Sequence, residues 1–272
     1  MDEITRYTPN TEKRFRAIIC EVTFRECCHL MASSRHVIDP CFLPKGLHDI
    51  GSERMLASLQ EQVDQVDPER YSHTLLAYGL CNNGVVGLEA TRTPIVIPRA
   101  HDCITFFFGS KERYQEYFEA NPGTYFETTG WQERNFLDPN QELPQQGGRP
   151  GSGNDKVGEG IMSQLGLNDT YADYVEKYGE ENAKFILETT GDWVKNYSQF
   201  TYITMCVADD QRHQEAVRAE ANKRGWRYEE VGGDISLLHK LFNGEWNDQE
   251  FLVVPVGKKL VAKHDGSIVG FE

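Results

Sequence analysis

The sequence predicts an α/β protein of parallel sheets, arranged as two related Rossmann-like lobes with a cleft between them. Three observations predict it. Runs such as "RAIICEV", "TLLAYGL" and "TPIVIP" are apolar throughout rather than alternating, as strands covered on both faces are. Helical stretches separate these runs, which is the rhythm of strands joined by crossover helices. The same order then returns after residue 200: "RAIICEV" lays over "TYITMCV", bringing Cys20 to within one position of Cys206, while "FLPKGLHD" lays over "YEEVGGD" and "TLLAYGLC" over "FLVVPVGK". A repeat of that kind implies two similar units and a site between them.

Taken in order, "RAIICEV" (16–22) reads as a buried strand, "TFRECCHLMASS" as a helix and "HVIDPCFLP" (36–44) as a second buried strand. "SERMLASLQEQVDQV" (52–66) places Met55, Leu56, Leu59 and Val63 at helical spacing, with Ser52 as its cap. Strands follow at 73–80 and 93–98, and "SKERYQEYFEANPG" (110–123) is a helix with an N-cap serine and a Pro-Gly stop. Residues 138–160 are rich in Gly, Pro and Gln without periodicity, the mark of a loop or flap. Beyond them a helix is expected at 171–193, a strand at 200–208, a helix at 209–225 ending on glycine, a strand at 226–234, a helix at 235–246 and a strand at 250–257. The expected division is a lobe over 14–137, the loop over 138–160 and a second lobe over 161–272.

Composition bounds the function. With 28 basic and 42 acidic residues the formal charge is −14, so no electrostatic footprint for nucleic acid or an anionic membrane is present. The apolar runs fall far short of the roughly 20 residues of a spanning helix, and the polar amino terminus lacks the apolar region of a secretory signal. The expectation is a cytoplasmic protein. Seven cysteines in a reducing compartment argue against a disulfide framework, and without a C-x-x-C pair any metal site must assemble from distant segments.

Ligands in open parallel sheets collect beyond the carboxyl ends of the strands. Here each of the first four strands ends on chemistry: Cys20 and Glu21, then His48 and Asp49, then Cys81 in "GLCNNG", then Arg99, His101, Asp102 and Cys103 in "RAHDC". Thiolate and imidazole hold zinc or iron, and three thiolates leave a coordination position open for substrate. Cys20, Cys81 and Cys103 are therefore the candidate ligands, of an iron–sulfur cluster or of zinc, with His48 as a fourth ligand or proton donor. His101 and Asp102 are candidate acid–base groups, and Arg99 an anchor for an anionic small-molecule substrate. The plainer reading of Cys20 is core filler, and Cys27, Cys28 and Cys41 read as packing. Gly109 and Ser110 read as an ordinary cap. "GRPGSGNDK" lacks the lysine spacing of a phosphate loop, and no G-x-S-x-G elbow occurs.

"ICEV", "LPKGLHD", "AYGLCNNGVVGL", "IPRAHDCITFFFGSKERY", "PGTYFETTGW" and "YVEKYGEENAKFI" resemble the family known as domain of unknown function 1638, over most of residues 16–257. The family carries no assigned activity. Its genes often neighbour corrinoid-dependent methyltransferase systems, so the resemblance implies one-carbon or methyl-group metabolism. The matching positions are Cys20, Glu21, His48, Asp49, Cys81, Arg99, His101, Asp102 and Cys103. The resulting expectation is a metal-dependent transferase or lyase acting on a small molecule. Its rival is a metal- or corrinoid-binding accessory protein that serves a methyltransferase without turnover.

Overall fold

The computed structural model describes residues 12–48, 51–81, 83–134 and 197–272. It is a mixed α/β fold with parallel sheets. β1 (Arg14–Cys20) lies between β2 (Val37–Leu43) and β3 (His73–Ala77), parallel to both, with Cys20 opposite Leu43 and Ile19 opposite Ala77. β4 (Ile95–Pro98) extends the sheet in parallel beyond β3. Ala17, Ile18, Ile19, Leu75, Leu76, Val96 and Ile97 are fully buried, so the uninterrupted apolar runs do mark strands covered on both faces.

β2 departs from its expected burial. It is the edge of the sheet, only partly covered, and Pro40 sits where an edge strand tolerates a missing N–H. Helix α1 (Phe24–Ser33) follows β1 through a 3-10 turn (Glu21–Thr23), and a second such turn (Lys45–His48) follows β2. Helix α2 (Ser52–Asp64) buries Met55, Leu59 and Val63 as its spacing predicts. Its cap position, however, is Gly51 at φ +91° with no side-chain cap, and Ser52 is the first helical residue. After β4 come a short α3 (Ile104–Phe108), buried throughout, and α4 (Lys111–Ala120), where Ser110 accepts the expected capping bond from the Arg113 N–H.

A second parallel sheet joins β5 (Thr124–Glu127), β6 (Gln199–Thr204) and β7 (Arg227–Gly232), with β6 central. Helix α5 (Thr129–Glu133) leads from β5, α6 (Gln211–Arg224) links β6 to β7, and α7 (Ser236–Asn243) packs against the first sheet. β8 (Phe251–Val254) pairs antiparallel with β4, giving the first sheet the order β2-β1-β3-β4-β8. The repeat seen in the sequence is therefore partial. β1-α1-β2 and β6-α6-β7 do correspond, but "FLVVPVG" forms an antiparallel edge of the first sheet, whereas its counterpart β3 is an internal parallel strand. β9 (Leu260–Ala262) and β10 (Val269–Phe271) form a small hairpin. The 138–160 loop and the 171–193 helix lie outside the described residues.

Candidate active site at the strand carboxyl ends

Cys20 ends β1, and its carbonyl accepts the Thr23 hydroxyl at 2.9 Å, fixing the turn that follows. The turns after β3 and β4 are joined by backbone: Leu80 N–H donates to the Ala100 carbonyl at 2.8 Å and Cys81 N–H to the His101 carbonyl at 2.9 Å. That contact explains Gly79, where an added Cβ would stand 2.7 Å from the Asp102 nitrogen. Cys81 itself is held at φ +47°, a conformation few side chains adopt, and the Gly84 N–H closes the turn on its carbonyl at 3.0 Å. Asp102 accepts from the Ile104 N–H (3.0 Å), the Thr105 N–H (3.4 Å) and the Tyr114 hydroxyl (3.2 Å), anchoring the start of α3 and with it Cys103.

All three expected thiols are buried, Cys20, Cys81 and Cys103 being 2%, 8% and 5% exposed; Cys20 acts electrostatically on Cys81, and both act on Cys103. Burial pushes all three above the ordinary thiol range, Cys20 to about 12, with Glu21 adding to the shift at Cys20 and neighbouring thiols adding to it at Cys81 and Cys103. Three groups work in the opposite direction at Cys20: the backbone N–H of Val22, the charge of Lys45 and a hydrogen bond with Tyr78. Lys45 follows β2 and is the one buried lysine among the described residues. Its backbone N–H donates to Glu21 at 2.8 Å, and its ammonium lies 4.3 Å from the centre of the Trp131 ring.

Trp131 comes from the second sheet's side of the molecule, and glycine makes its approach feasible. A Cβ on Gly130 would overlap the Val22 carbonyl, so α5 rests directly on the turn after Cys20. The buried Trp131 indole nitrogen has no partner of standard hydrogen-bond geometry, yet its N–H lies near enough to Cys103 to favour the thiolate. Glu127, at the end of β5, is 6% exposed and accepts from the Gln132 amide at 2.9 Å. Burial pushes its pKa up to about 7, against the pull of that hydrogen bond and of Lys45.

Not every expected residue joins this group. Arg99 points elsewhere, donating to the carbonyls of Asp248 (2.8 Å), Ser267 (2.8 Å) and Val269 (2.6 Å), a clamp that ties β4 to the C-terminal hairpin. The His101 side chain is exposed; its carbonyl is what serves the site. His48 ends its 3-10 turn, and its side chain, like Asp49, lies outside what the structure describes. Cys27 is buried against Thr23 at 3.3 Å, and Cys41 bonds Gln62 at 3.1 Å, both consistent with packing. Lys45, Tyr78, Glu127 and Trp131 were not expected. The sequence marks them only through the strings "LPKGLHD", "AYGLC" and "TYFETTGW", since nothing local says that β5 would end beside β1.

Sulfur dominates the donor set, the thiols are shielded from water, and a buried ammonium stands ready to balance thiolate charge. Among the described residues, no group of three or more His, Cys, Asp or Glu side chains is already spaced to hold a metal ion.

A family model described as a protein of unknown function, DUF1638, matches residues 42–242, a span that includes Lys45, Cys81, Cys103, Glu127 and Trp131 and begins after Cys20. No curated protein and no solved structure matches the chain.

Proposed function

The chain belongs to the DUF1638 family of proteins of unknown function, and from that membership we propose that it is a metal-dependent enzyme acting on a small molecule, with Cys20, Cys81 and Cys103 holding zinc or an iron–sulfur cluster. The observation that carries the reading is that three thiols from beyond three separate strand ends are all buried, with Cys20 and Cys81 acting electrostatically on Cys103. When bound, such a centre supplies Lewis acidity and activates a thiol or methyl acceptor, which suits methyl-group chemistry. Binding would replace the protons of sulfurs that already influence one another, and would draw them the remaining distance together.

The protein's own residues have separable tasks. Lys45 offsets the negative charge that appears when the thiols lose their protons. Glu127, which burial brings close to neutrality and which feels the charge of Lys45, would give and take a proton near pH 7. Trp131 covers Cys103 and keeps water away. Access would run through a cleft between two Rossmann-like lobes, along the carboxyl edges of the two parallel sheets, with Lys45 rather than Arg99 supplying positive charge for an anionic substrate.

Anaerobic purification followed by elemental analysis and a visible spectrum tests this. About one zinc per chain, or iron with sulfide and a broad brown absorbance, supports the centre. Metal bound without turnover of methylated small molecules, together with tight uptake of a corrinoid, would favour the accessory role beside a methyltransferase.

A further inference from the structure

Away from the thiols, α1, α5 and the start of α6 gather a second set of charged side chains. Glu26 on α1 is 1% exposed, and neither of its carboxyl oxygens has a hydrogen-bond partner. Arg25 from its own helix, Glu133 from α5 and Asp210 from the residue before α6 face it, with the thiols of Cys27 and Cys28 alongside. Arg25 is already engaged, gripping Glu133 through bonds of 2.6 and 2.5 Å, and His213 of α6 approaches the same carboxylate at 3.6 Å. Asp210, also buried, accepts the Thr129 hydroxyl at 2.5 Å, and Thr129 meets the Tyr202 hydroxyl at 2.8 Å. An ionised Glu26 would add a further buried carboxylate to a space whose arginine is paired elsewhere, and an uncompensated buried charge is costly. The junction has little slack, because Gly130 of α5 touches the Val22 carbonyl directly.

We propose that Glu26 is a proton-binding latch: its neutral form lets α5 dock against α1 and the turn after Cys20, and its ionisation loosens that docking. The proposal is independent of whether a metal binds. Burial, with Asp210 and Glu133 adding to it and its own backbone N–H and Arg25 opposing, pushes the Glu26 pKa up to about 7. A carboxyl raised in the folded state holds its proton more tightly there than in the unfolded chain. Its contribution to stability is therefore complete at acid pH and is lost as pH rises through about 7.

The test compares the full chain with Glu26→Gln and Glu26→Met, two neutral replacements, by urea unfolding between pH 5 and 8.5 and by amide exchange of α5. Wild type should lose up to ~100-fold more of its folded-to-unfolded ratio across that window than either variant. Its α5 amides, corrected for intrinsic exchange, should speed up above pH 7 while those of the variants do not. Glu127 is present in all three chains, so its own titration cancels. If both variants keep the wild-type pH slope and the wild-type exchange of α5, the latch is refuted. If Gln does not fold, Met alone decides.

Discussion

Cys20 and Cys206 occupy comparable places: Cys20 closes β1, an interior strand of the first sheet, and Cys206 lies just beyond β6, the middle strand of the second, each with a helix following. Their surroundings differ sharply. Cys20 is buried, under the influence of Lys45, and acts electrostatically on the buried Cys81 and Cys103. Cys206 is exposed at φ +56°, and the neighbouring strand β7 ends in Gly232, where even an added Cβ would meet nothing within 4 Å. The same strand-turn-helix pattern thus makes a site only where adjacent strand ends supply walls. A cysteine at a strand end is a position, and its neighbours give it a role.

Replacing residues on each side of this contrast sharpens it. The largest effect should come from Cys20→Ser, Cys81→Ser or Cys103→Ser, each removing more than ~90% of the metal found in the wild type by elemental analysis. Gly130→Ala should cost about 3 kcal/mol in urea unfolding, because the new methyl must displace backbone rather than a flexible side chain. Arg99→Ala should lower stability by about 2 kcal/mol through the carbonyls it leaves unpaired, with metal content unchanged. Such a result would separate this structural cation from Lys45. Lys45→Met should weaken metal affinity roughly tenfold in a chelator competition, with unfolding less affected than in Arg99→Ala. Cys206→Ser should shift stability by less than about 0.5 kcal/mol and leave metal content alone. Equal metal loss from Cys206→Ser and Cys20→Ser would erase the contrast.

Much of the first sheet was legible because buried parallel strands write themselves as unbroken apolar runs, and "RAIIC", "TLLA" and "IVIP" are such runs. The rule about strand ends picked out Cys20, Cys81 and Cys103, and all three are buried. Harder to read were features set by pairing at long range. "FLVVPVG" has the composition of a central parallel strand, and only its partner β4 makes it an antiparallel edge. Arg99 shares five residues with His101, Asp102 and Cys103, yet its side chain reaches carbonyls some 150 residues further along the chain. Lys45 and Trp131 belong to different sheets' connections, and no local pattern reports that a glycine at 130 lets them touch. The buried carboxyls Glu26, Glu127 and Asp210 look like ordinary surface acids in the sequence, because burial is a property of what packs over them.

The most direct test is the metal content of the protein purified without oxygen, alongside Cys81→Ser prepared identically. A centre built on converging sulfur predicts about one zinc, or one cluster's worth of iron and sulfide, per wild-type chain and almost none in the variant. Wild-type protein that emerges with no metal, takes up neither zinc nor iron when offered them, and shows the same thiol count before and after would contradict it.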